Sequence, residues 1–333
     1  MGYFLIHGGS ADHTSEDRIR GICSVLKEPP EIFSTSPEED WQYGLAELGA
    51  LSRVRPGSMS RRIKLGDWCI TSRPAAARET GRGVRRMLWG WEPAGELTRK
   101  QATQLMRFHR IVVTDLRSRA ILLRAGLGRS VRFGPDPSFL VSRCLRSAQP
   151  LLRGETIGLC LSASVAGFET QPGLLYQCYC YLIQWILKNT SWQIALIPYC
   201  TKKGSDDQHL NFALMRQFSG EDRLIIRPDG SSRELRGDLS LCRCCVGTAG
   251  VPAAWSCGVP GLCIGDSRRV RGLSATLMGS SAGVVVRVGT LKCPESLCQA
   301  FRRFLSQEDV MRYRLEVSVP RYRQWAAEWS WNE

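Results

Sequence analysis

The sequence predicts an α/β protein built from two Rossmann-like domains, and three observations lead there. Its 333 residues exceed what a single hydrophobic core usually supports. Short runs that are apolar throughout alternate with stretches of helical periodicity, as in a parallel sheet covered on both faces. The strand-helix-strand order, with right-handed crossovers, then winds such a sheet into a Rossmann-like domain.

The elements follow in chain order. Tyr3–Ile6 reads as a buried strand running into a glycine turn, and a helix is expected through Arg18–Leu26. WCIT (68–71), MLWG (87–90) and IVVT (111–114) continue the first half less clearly. SRCLRSAQPLLRG (142–154) is polar, proline-containing and unpatterned, and marks a boundary. The second half is more legible. IGLCLSA (157–163) is followed by a helix over Gly173–Asn189, where Leu175, Cys178, Tyr179, Leu182 and Ile186 share one face. IALIPYC (194–200), a helix near Asp207–Phe218, LII (224–226) and a helix near Ser231–Leu239 come next. CCVG (244–247), a helix from about Val251, PGLCIG (260–265) and VVVRV (284–288) complete the set. Met311, Leu315, Val319, Tyr322, Trp325 and Trp329 then step by three and four, with Pro320 suited to the first turn of a second helix. That stripe is expected to pack back across the first domain. The expected division is 1–148, 149–308 and a helical segment 309–333.

Composition narrows the class. A hydrophobic share of 43% with 23% charged residues is that of a soluble globular protein. The first ten residues lack the cationic region of a signal peptide, and no apolar run reaches the roughly 18 residues that span a bilayer. A cytoplasmic place is therefore expected. The fourteen cysteines lie mostly in apolar patterns and read as reduced core residues. Cys242, Cys244 and Cys245 have no second Cys or His pair at zinc spacing, so no metal is expected. The formal charge of +14, from 45 basic and 31 acidic residues, favours anionic partners. The arginines are scattered rather than interleaved with aromatics, which counts against nucleic acid.

Four stretches carry a family resemblance. HGGSADHTSEDRIRG (7–21), RFHRIVVTDLRSRAILLRAGLGRSVRFGPDPSFLV (107–141), IALIPYCTKKGSDDQHL (194–210) and CRCCVGTAGVPAAWSCGVPGLCIGDSRRVRGLSATLMG (242–279) occur in colinear order. Together they resemble the polysaccharide pyruvyl transferase family. The resemblance implies a GT-B-like architecture and transfer of a pyruvyl group from phosphoenolpyruvate to two hydroxyls of a saccharide, in surface-glycan biosynthesis. Such transfer requires an acid to protonate the enol carbon while cations hold carboxylate and phosphate. A cleft that excludes water protects the activated donor. No cofactor is implied, since phosphoenolpyruvate is the donor substrate. The implied partners are a saccharide or lipid-linked saccharide acceptor, a peripheral place at the inner membrane and other glycan-biosynthesis proteins.

Residue by residue, the family's Arg-x-His is missing: its arginine position is Ala249 and its histidine position is Val251. Losing a general acid costs ~10²–10⁴ in rate; losing an electrostatic clamp costs roughly 2.7–4 kcal/mol. The family arginine near 114–115 is replaced by Thr114-Asp115, its glycine triplet by Ser72-Arg73-Pro74, and its histidine after LIP by Tyr199. Matching positions imply a donor or anion site at Ser162, Ser267, Arg269, Arg271 and Gly272, with Asp12 and Glu16 on the acceptor side. His13 is the candidate acid, with His7 beside it. Asp206-Asp207 reads as a helix N-cap pair. The residues leave three readings open: a transferase drawing its acid from elsewhere, a non-catalytic homologue acting as a binding or partner subunit, and a GT-B sugar-nucleotide glycosyltransferase.

Overall fold

The structure, a computed structural model, describes residues 3–7, 13–26, 30–34, 51–53, 68–71, 74, 83–145, 151–163, 173–200, 206–248, 250–265 and 267–327. The chain divides into two compact units. Met1–Ala11, Ser15–Val141 and Arg321–Glu333 form the first, and Asp12–Thr14 with Ser142–Pro320 form the second.

Among the described residues the first unit holds seven parallel strands: β1 (Tyr3–His7), β2 (Glu31–Ser34), β3 (Leu51–Arg53), β4 (Trp68–Thr71), β5 (Arg85–Trp89), β6 (Arg110–Val113) and β7 (Val131–Phe133). Their order is β3-β2-β1-β4-β5-β6-β7. Helix α1 (His13–Cys23) begins earlier than the sequence pattern suggests. On it, Ile19 and Ile22 pack with Trp68, Ile70, Met87, Trp89 and Val112 in one buried cluster. Helices α2 (Arg99–Leu105) and α3 (Leu116–Arg124) follow. Thr98 and Gln101 close a capping box on α2, and Asp115 caps α3 by accepting from the Ser118 amide at 2.9 Å.

Among its described residues the second unit carries six parallel strands: β8 (Thr156–Cys160), β9 (Gln193–Leu196), β10 (Leu224–Ile226), β11 (Cys244–Gly247), β12 (Gly261–Ile264) and β13 (Val285–Val286). The order is β10-β9-β8-β11-β12-β13. Every residue of β8, β11 and β12 is buried, which explains their uninterrupted apolar sequence. The strand expected over 284–288 is shorter, because the chain turns into a 3-10 turn at Val288–Thr290. The crossovers are α4 (Leu174–Asn189), α5 (Asp207–Gln217), α6 (Ser232–Leu241), α7 (Gly250–Ser256) and α8 (Arg268–Met278). Helix α9 (Glu295–Leu305) packs on α4.

The last helix corrects one expectation. Instead of two helices meeting at Pro320, there is a single helix α10 (Glu308–Ala327) with Pro320 inside it. An internal proline costs about 3 kcal/mol. Met311, Leu315, Val319, Tyr322 and Ala326 are all buried along one stripe on both sides of it. Each large side chain among them returns roughly 1.5–3 kcal/mol, so burial outweighs the proline. Within the first unit the helix end is tied down, as the apolar stripe predicts. The Tyr322 hydroxyl donates to the Thr114 carbonyl at 2.7 Å and accepts from the Asp136 amide at 2.9 Å. Arg323 Nε donates to the Phe139 carbonyl at 2.7 Å. Phe133 and Tyr322 meet Trp325 edge-on; Trp329 lies outside the described residues. No helix among the described residues is long and apolar enough to cross a membrane.

Candidate functional site at the carboxyl edge of the second sheet

In an open parallel sheet, ligands sit beyond the carboxyl ends of the strands, where the strand order reverses. In the second sheet that reversal falls between β8 and β11. Three segments matter there: the chain after β8, the turn after β11 and the helix start after β12.

The turn after β11 keeps a tight frame. The Thr248 amide donates to the Cys160 carbonyl at 2.9 Å. A Cβ on Gly247 would stand 2.1 Å from that same oxygen, so only glycine lets the two strand ends come this close. The following helix α7 is buried on every side. Val251 has no exposed surface, and its Cγ1 lies 2.7 Å from where a Cβ on Gly261 would be. The side chain at this position therefore fills space against β12. Ala249 lies outside the described residues. At the other end of α7, the fully buried Arg236 donates to the Ser256 hydroxyl, which in turn donates to the Ala253 carbonyl at 2.6 Å. A cation at a helix carboxyl end is favourably placed against its partial negative charge.

Asp206 and Asp207 divide the role expected of them. Asp206 is the N-cap of α5, accepting from the Gln208 amide at 2.8 Å. Asp207 instead is buried and accepts from the amides of Ala163 at 3.0 Å, Tyr199 at 3.1 Å and Cys200 at 2.8 Å. It thus binds the chain after β8 to the chain after β9. Burial pushes its carboxyl up to about 6, although those three amides pull the other way. Tyr199, at the family's histidine position, is itself buried. The thiols of Cys160 and Cys245 are raised well above their ordinary value, first by burial, and are inert as nucleophiles.

The helix start after β12 differs in exposure. Ser267 caps α8, its hydroxyl accepting from the Val270 amide at 3.4 Å. Ser267 and Arg268 are exposed, while Arg269, Arg271 and Gly272 are half-buried. This positive end of an 11-residue helix carries three arginines and no acidic residue in its first turn. Such an end suits phosphate or carboxylate.

The structure thus places Ser162, which is 9% exposed, and the Ser267–Gly272 group on one edge, beyond strands β8 and β12 that flank β11. Among the residues matched to the acceptor side, Glu16 is buried in α1 and accepts from Arg20 Nε at 2.6 Å. His13 is the first residue of α1 and His7 the last of β1; Asp12, Ser72 and Arg73 lie outside the described residues. Among the described residues, no group of three or more His, Cys, Asp or Glu could hold a metal ion. Sequence reasoning missed Asp207 as the tie between two strand ends, and Arg236 as the anchor of α7. An arginine at helical spacing among apolar residues (Leu235, Leu239) is the signal that could have found the second.

Comparison with known proteins bears on both fold and family. A putative UDP-N-acetylglucosamine 2-epimerase from Listeria monocytogenes superposes with a TM-score of 0.66 at 12% identity, over 98% of this chain and 93% of its own. S. aureus MnaA, in a co-structure with UDP, gives 0.68 at 10% identity over 98% and 94%. Anabaena HepE in complex with UDP gives 0.56 at 9% identity over 98% and 99%. At these identities the likeness speaks for the fold alone, and that fold is the GT-B-like α/β class. No curated protein sequence matches the chain. The model of the polysaccharide pyruvyl transferase family matches residues 90–249, from the end of β5 through the turn after β11. Over that stretch the chain is similar to polysaccharide pyruvyl transferases, and there the resemblance drawn from the motifs at 107–141 and 194–210 holds.

Proposed function

We propose that this chain binds phosphoenolpyruvate at the carboxyl edge of its second sheet and acts on a saccharide in surface-glycan biosynthesis as a slow pyruvyl transferase. The observation that carries the reading is the capped, arginine-bearing start of α8 beside a family-matched turn, which leads into a helix where Val251 cannot act as an acid. In this reading Arg269 and Arg271 meet the donor's carboxylate and phosphate, and Ser162 lines the same edge. The proton for the enol carbon comes from His13. The acceptor is a saccharide or lipid-linked saccharide, met in the cytoplasm at the inner membrane.

A second reading, sugar-nucleotide binding, draws on the UDP complexes among similar folds, since the same helix start would suit a diphosphate. Calorimetric titration separates the two. Phosphoenolpyruvate should bind, and Arg269→Ala or Arg271→Ala should weaken it by about tenfold or more, the worth of one charge-assisted hydrogen bond. Absence of binding at millimolar phosphoenolpyruvate, with UDP-N-acetylglucosamine binding instead, would overturn the first reading in favour of the second.

A further inference from the structure

A second cavity lies along the outer edge of the second sheet, where the edge strand β13 faces α9. Its volume is about 910 Å³, and it shares no lining residue with the carboxyl-edge site. Pockets for small organic ligands run from about 300 to 1,000 Å³. Its floor is apolar, formed by Leu262, Val285, Val286, Leu291 and Ala300. Its charged lining is one-sided: Arg287, Lys292 and Arg303 are present, and no carboxylate stands among its described lining residues. Thr290, Ser296, Gln299 and Gln307 add neutral hydrogen-bonding groups.

One-sided charge over an apolar floor is the informative feature. Three cations that share a concave wall raise the local potential and favour a multiply charged anion over a single carboxylate. Apolar surface below them rewards a ligand with a hydrocarbon part. The cations stand on separate segments: Arg287 just before the 3-10 turn, Lys292 just after it and Arg303 in the last turn of α9. The wall itself is locally organised, for the Ser296 hydroxyl accepts from the amides of Lys292 and Cys293, both at 3.1 Å. We propose that this cavity binds a soluble amphiphilic phosphate monoester, its phosphate between Arg287, Lys292 and Arg303 and its hydrocarbon part on the Leu262–Val285–Leu291 floor.

The test is calorimetric titration of the full chain with octyl phosphate, inorganic phosphate and neutral octyl glucoside, each below its micellar concentration. Octyl phosphate should bind saturably, and at least tenfold more tightly than either control. The double variant Lys292→Ala/Arg303→Ala replaces two exposed side chains and should keep the parent's thermal unfolding midpoint while losing tenfold or more in octyl phosphate affinity. Arg269→Ala/Arg271→Ala, at the other site, should leave that affinity unchanged. Equal binding of octyl glucoside, equal binding of inorganic phosphate, or loss of binding in the Arg269/Arg271 variant alone would overturn the proposal. So would binding to phosphatidic acid vesicles without binding of soluble octyl phosphate, which would make the face a membrane contact.

Discussion

Two neighbouring segments leave the same edge of the second sheet and have opposite characters. Helix α7, after β11, is buried throughout, and Val251 fills space against Gly261. The helix start after β12 presents Ser267 and Arg268 to solvent. The first segment holds two strands together; the second offers charge. The contrast teaches that a strand-turn-helix frame is kept by close backbone packing, which alanine, valine and glycine serve well. The chemistry that such a frame can host depends on side chains that packing does not require.

The strongest way to break this contrast is Val251→His. An imidazole there must enter a filled, apolar space, at an expected cost of about 3 kcal/mol or more, read from the urea midpoint at unchanged slope. A variant as stable as the parent would mean that position 251 faces the open edge after all. Next comes Asp207→Asn, followed against pH. The unfolded carboxyl titrates near 3.8 and the folded one at about 6, so the folded chain binds the extra proton between these values. Stability from this group is present below the lower value and lost as pH rises through the upper one. The parent's stability relative to the variant should therefore fall by roughly 2.4 kcal/mol between pH 4 and pH 7. A difference that stays flat over that range would show that the three amides hold the carboxylate ionised. The smallest effects belong to the exposed segment. Ser267→Ala should cost about 1 kcal/mol through the lost cap, and Arg268→Ala less than about 0.5 kcal/mol in thermal unfolding.

Much of the fold was legible because the second sheet buries β8, β11 and β12 completely and β9 nearly so. IGLC, IAL, CCVG and GLCI announce themselves as apolar runs, and helical spacing marks α4 at once. The short strands EIFS, LSR and VRF were not legible, being three or four residues long with polar members. Helix α2 carried a readable signal in Thr98 and Gln101, three residues apart, that the apolar pattern alone did not supply. At the candidate site, the family motifs located Val246-Gly247 and the Ser267 cap. The direction of Val251 was hidden, since a seven-residue helix buried on all sides has no polar face to set its phase. Asp207 was hidden for another reason. One of its partners, Ala163, lies 44 residues earlier, and no local pattern records such a bond.

The shared terminal helix has a consequence for how the chain is made. The first unit needs Tyr322 to satisfy the Asp136 amide, 186 residues earlier in the chain. At synthesis rates of about 5–20 residues per second, roughly 10–40 s separate the two on the ribosome. During that interval the edge around Thr114, Asp136 and Phe139 waits without its cover, while the second unit, almost continuous from Ser142 to Pro320, emerges whole. The unit whose sequence begins first is the one that finishes last.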